Sequence, residues 1–80
     1  NISTKNVHII VGSFSEEKNA NALIKQLKNR GFQTASIVGT NKYGLIRVAA
    51  ASFYTEEEAH EELISIKSKL SSAWVLNENE

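Results

Sequence analysis

The 80-residue sequence has no cysteine, so it carries no disulfide framework and no thiolate chemistry. It has no methionine, and it is expected to be a processed form or an excised domain with any targeting segment upstream. Aspartate is missing too. All nine acids are glutamates: Glu16, Glu17, Glu56, Glu57, Glu58, Glu61, Glu62, Glu78 and Glu80. No apolar run approaches the roughly 18 residues a membrane span needs, so no membrane contact is expected of this domain itself. An excess of either charge is also lacking. Nine Lys and Arg balance the nine glutamates. A neutral domain has no broad field to hold a polyanion, which argues against nucleic acid as a partner. What is present, 41% hydrophobic and 22% charged residues, suits one small globular domain rather than a disordered chain.

The apolar run Val7-His8-Ile9-Ile10-Val11, bounded by Gly12-Ser13, reads as a central strand. Ser15 before Glu16-Glu17 reads as a helix N-cap. Ala20, Leu23, Ile24 and Leu27 then form one apolar stripe, and Gly31 closes the helix. A weaker second strand spans 32–39, and Thr40-Asn41-Lys42-Tyr43-Gly44 is a turn cluster. Residues 45–51 form the third strand. Thr55 caps a second helix with Glu58 as its capping-box partner, and Ala59, Leu63, Ile66 and Leu70 give its apolar stripe. Residues 73–76 form the last strand. The expected division is a flexible segment 1–6, a domain 7–76 and a frayed tail 77–80.

The order is βαββαβ, and its halves repeat. Val11-Gly12-Ser13-Phe14 and Ala50-Ala51-Ser52-Phe53 are each followed by an alanine six positions after the phenylalanine, Ala20 and Ala59. Two such units predict an α+β, ferredoxin-like (RNP-like) four-stranded antiparallel sheet with both helices on one face. The first and third strands are central. Strict alternation assigns Val7, Ile9, Val11, Ile46, Val48 and Ala50 to the core, and His8, Ile10, Gly12, Leu45, Arg47, Ala49 and Ala51 to the open face. Phe14, Phe32 and Phe53 plug the junctions between strands and helices.

Little of this supports catalysis. The helical glutamates face solvent, so no carboxylate pair stands about 5–10 Å apart across a glycosidic bond. His8 and His60 lie on different elements, and no metal or other cofactor is implied. Ser13 and Ser52 have no base within their motif, and no Gly-rich phosphate loop appears.

What remains is a binding surface. Gly12, Ala49 and Ala51 form a low floor, with Ile10, Tyr43, Leu45, Arg47 and Trp74 as rims. Arg47 either pairs with a neighbour or awaits a ligand. With no acid expected on that face, the ligand reading is favoured, because a guanidinium suits carboxylates and clustered oxygen acceptors. Each other residue has a plainer reading: Tyr43 as a turn residue, Trp74 as core, His8 as a solvent-facing strand residue, and Ser13 as a strand-exit cap.

These segments resemble a SPOR (sporulation-related repeat) domain over roughly residues 7–76. The resemblance is carried by His8-Ile9-Ile10-Val11-Gly12-Ser13-Phe14, Arg30-Gly31-Phe32, Gly44-Leu45-Ile46-Arg47-Val48 and Ser52-Phe53. It implies a non-catalytic bacterial module with the same fold that binds peptidoglycan glycan strands stripped of stem peptides through the open face. Such a module targets its parent protein to the cell wall or division septum. It also implies an extracytoplasmic, periplasmic setting and contact with cell-division or wall-remodelling proteins through the parent chain. Ser13 and Arg47 match the family's pattern. Ile10 stands where a glutamine is frequent and Leu45 where an aromatic is frequent, with Tyr43 close enough to supply a ring. Alternatives of other classes are a protein-docking or regulatory module and a sheet that binds single-stranded RNA.

Overall fold

A computed structural model describes residues 5–78. The elements run β1 (Val7–Phe14), α1 (Glu17–Asn29), β2 (Ser36–Thr40), β3 (Ile46–Phe53), α2 (Glu56–Lys69) and β4 (Trp74–Asn77). They form one antiparallel sheet in the order β2-β3-β1-β4. This is the α+β ferredoxin-like arrangement expected, with β1 and β3 central.

Local chemistry sets the helix ends. Thr55 Oγ1 accepts from the Glu58 N–H, and the Glu58 carboxylate accepts from the Thr55 and Tyr54 N–H groups, a complete capping box. α1 differs from expectation at its start. Glu16, not Ser15, is the cap residue, and its side chain makes no cap bond. At the other end Gly31 adopts φ 100°. The Phe32 N–H reaches Leu27 O and the Gly31 N–H reaches Lys28 O, a Schellman closure that needs the left-handed glycine.

Both helices cover the same sheet face. Val7, Ile9, Ala59, Ile66 and Ala73 form one buried cluster, and Ala20, Leu27, Ala35 and Val48 form another. Val11, Phe32 and Leu70 pack against both. Phe14 and Phe53 pack on the clusters as expected.

The central pair departs from strict alternation. Val7 to Ile9 pair with Phe53 to Ala51, and Gly12 to Phe14 pair with Val48 to Ile46. Between them Ile10 sits opposite Ala49, and Val11 and Ala50 are left without direct partners. One extra residue on each strand flips the side-chain parity beyond it. Gly12 and Ala51, expected on the open face, therefore turn toward the helices. A Cβ on Gly12 would lie 3.0 Å from Leu23 Cδ2 and 3.0 Å from the Phe14 ring. Ala51 lines a hollow with Phe53 and Ile66. Ala50, assigned to the core, is fully buried.

Gly12→Ala tests this geometry. The crowding falls on side-chain tips that can yield, so the expected loss is about 1 kcal/mol, from the low end of overpacking costs. Such a loss lowers the melting temperature by about 4–8 °C in a domain of this size. An unchanged melting temperature would place Gly12 on the open face after all.

Candidate binding face

On the face away from the helices, the ladder lines up His8 with Ser52 and Leu76, Ile10 with Ala49 and Trp74, and Ser13 with Arg47. The expected low floor is absent. Gly12 and Ala51 have turned to the other side, and Ile10 and Ala49 are fully buried. Ile10, expected at a rim, exposes no surface. Trp74 remains 47% exposed and sits beside Ile10 in the ladder.

His8 is the larger departure. Expected to face solvent, its side chain is only 7% exposed, and it is the polar residue that the core buries. A buried imidazole must have its nitrogens satisfied, and both are. Nδ1 lies 2.6 Å from Ser52 Oγ and Nε2 lies 2.9 Å from Glu78 Oε1. In the tautomer whose Nε2–H donates to the carboxylate, Nδ1 accepts from the serine hydroxyl. Ser52 thus does have a base beside it. Parity in the ladder brings together two residues 44 positions apart, a proximity that no local motif encodes. A serine, histidine and carboxylate in hydrogen-bonded series is the order found in serine hydrolases. Acyl transfer also needs donors aimed at a developing oxyanion, and the series by itself supplies none.

Of the expected tail 77–80, residues 79–80 lie outside the described residues, and Glu78 sits on this face. Asn77 closes β4, and the Glu78 N–H donates to Asn6 O at 2.9 Å. Its second carboxylate oxygen, Oε2, lies 3.6 Å from Arg47 Nη1. The expectation that Arg47 has no acid near it is therefore corrected. The contact is single and longer than a hydrogen bond. Among the described residues it is the only partner of the guanidinium. The Arg47 side chain is 19% exposed and that of Glu78 is 41% exposed, a setting in which an ion pair contributes about 0–1 kcal/mol.

Two expected residues lie apart from this cluster. Leu45 precedes β3 instead of starting it. Its N–H donates to Asn41 Oδ1, its carbonyl accepts from the Asn41 N–H, and it is half-buried in the hairpin turn. Tyr43 projects from the hairpin tip, 75% exposed, with Lys42 Nζ 5.3 Å from its ring centre. Ser13 is exposed opposite Arg47. The face thus gathers His8, Ser13, Arg47 and Trp74 on strands, with Tyr43 and Leu45 in the neighbouring β2–β3 turn. Sequence reasoning missed Ser52, Leu76 and Glu78. The alternation Trp74, Leu76, Glu78 was the available signal.

A hollow of about 420 Å³ opens on the opposite side, between Phe32, Ala51, Phe53, Ile66 and Lys69. It is separate from the Arg47 cluster. Among the described residues no group of three metal-ligating side chains occurs, and no helix is long and apolar enough to cross a membrane.

A neutral four-stranded sheet with one charged cluster on its uncovered face is the form of a small binding module. The chain belongs to the SPOR domain family, whose model matches residues 3–77. It is a family of peptidoglycan-binding modules found in bacterial envelope proteins. Searches of curated proteins and of solved structures gave no match.

Ser52→Ala is expected to cost about 1–3 kcal/mol, because it leaves the buried Nδ1 without a donor. Urea unfolding of the variant measures this. A change under about 0.5 kcal/mol would mean that the His8–Ser52 bond has no stabilising role, within the scatter expected of a neutral surface substitution.

Proposed function

We propose that this domain binds peptidoglycan glycan strands stripped of their stem peptides, and that it does so on the helix-free face around Arg47. Binding there would carry the parent protein to the cell wall, on the extracytoplasmic side, and to the division septum where such strands occur. The observation that carries the reading is a half-buried guanidinium on that face whose one partner among the described residues is a carboxylate 3.6 Å away, longer than a hydrogen bond. A muramic unit freed of its peptide presents a lactyl carboxylate, whereas a stem peptide occupies that group as an amide. Arg47 distinguishes the two by charge and by its forked donors. Trp74 and Tyr43 offer exposed rings against sugar faces, and Ser13 offers a hydroxyl beside Arg47. Attached peptides would also crowd a flat face, so selectivity comes partly from exclusion. A few such contacts support affinity near micromolar, about −8 kcal/mol.

Retention on purified sacculi, before and after an amidase removes the stem peptides, tests the reading. Binding should rise on the stripped material. Arg47→Ala should lower that binding about 10-fold or more, as losing one charge-assisted contact implies. Equal retention on both materials removes the selectivity, and an unaffected Arg47→Ala removes the residue from the site.

A further inference from the structure

Glu78 holds a place that the sequence left vacant. Its two carboxylate oxygens divide between two donors, Oε1 to His8 Nε2 at 2.9 Å and Oε2 toward Arg47 Nη1 at 3.6 Å. One carboxylate therefore spans both groups. The His8 side chain is more than nine-tenths buried, and Ser52 fixes its ring, so the Nε2–H stays aimed at that spot whatever fills it. The Glu78 side chain, in contrast, is 41% exposed and stands just past the last strand.

We propose that His8 and Arg47 form a carboxylate subsite that the chain's own Glu78 occupies at rest, and that the lactyl carboxylate of a peptide-free glycan displaces it. This rests on the glycan reading above and adds to it His8 as the second donor and Glu78 as the resident competitor.

The chemistry restricts the exchange. A cation in its place would strand the His8 donor and repel the guanidinium, and a neutral acceptor would satisfy His8 but leave the half-buried Arg47 charge without a counter-charge. A second carboxylate satisfies both, so the exchange conserves hydrogen bonds and charge. The long Arg47 contact is weak enough to yield. Glu78 then acts as a competitor tethered at the site, with an effective concentration set by its short attachment to β4. A site that is free for only a fraction of the time weakens the apparent affinity by that fraction. Ser52 is a positioning residue here, because it acts through His8. Among the described residues, the charged and titratable groups facing the subsite are His8 from β1, Arg47 from β3 and Glu78 beyond β4.

Two titrations of the whole chain test this, each with wild type, Glu78→Ala and Glu78→Gln. In the first, calorimetry compares amidase-stripped glycan oligomers with chitooligosaccharides, which carry no carboxylate. Glu78→Ala should bind the stripped glycan about 3–10-fold more tightly than wild type, the gain expected when a subsite free about 10–30% of the time is opened. It should bind chitooligosaccharides no better. Glu78→Gln, whose amide oxygen still accepts from His8, should fall between and guards against a folding effect of the alanine. Equal gains on both sugars, or no gain, overturn the displacement. In the second, D-lactate is added and the Arg47 Nε–H and His8 ring resonances are followed. Saturable shifts in Glu78→Ala, absent with chloride at matched ionic strength, support the subsite; their absence overturns it. Lactate shifts without glycan binding in any of the three chains overturn the glycan reading and leave the carboxylate subsite standing.

Discussion

The arrangement of this domain depends on the parity switch in its central strand pair. Antiparallel strands assign alternate residues to opposite faces, so one extra residue exchanges the faces for everything beyond it. Val11 and Ala50 take up that extra residue together, and the ladder keeps its overall pairing on either side. Before the switch Val7 and Ile9 face the helices, and after it Gly12 and Phe14 do. The same event on β3 turns Ile46 and Val48 inward, then Ala51 and Phe53. It also brings the His8–Ser52 pair and the Ser13–Arg47 pair onto the same helix-free face. Without the switch the polar cluster would not assemble.

That cluster shows how a small neutral domain can hold charge in place. Arg47 pairs weakly, and the anchoring is done by the buried imidazole, which is bonded at both nitrogens. A donor fixed in this way loses little freedom when its partner changes, because its ordering cost is met in folding. The exposed rings lie outside the cluster, Trp74 on β4 beside Ile10 and Tyr43 at the tip of the β2–β3 hairpin. This suits a module that reads one feature of a repetitive polymer. The peptidoglycan binding of the SPOR family requires affinity for a surface, and in the reading proposed above a shallow face with one carboxylate-binding subsite supplies it.

Much of the fold was legible. Apolar spacing at Ala20, Leu23, Ile24 and Leu27, the Thr55–Glu58 box and Gly31 each carry a local rule, and the helices follow them. The repeated Ser-Phe exits foretold the two-fold βαβ plan. The faces of β1 and β3 were misread where a strict period of two was run through the small residues of 49–51. The two phenylalanines carry the missing constraint. Phe14 and Phe53 were placed in the core, and two residues back from each are Gly12 and Ala51, which must share that side. Counting from the phenylalanines gives the observed parity. Arg47 was placed correctly on the helix-free face. The partners of His8 were not legible, because Ser52 and Glu78 lie 44 and 70 positions away and no local pattern couples such distances. Glu78 also carries no apolar signal of its own, standing just past the last strand, which ends at Asn77.

The most direct measurement of the central claim is a map of backbone amide shifts during titration with peptide-free glycan oligomers. The account predicts the largest changes at Ser13, Arg47, Trp74 and Glu78, with the α1 and α2 amides nearly still. Changes concentrated around Phe32, Ile66 and Lys69, at the hollow on the other side of the sheet, would contradict it.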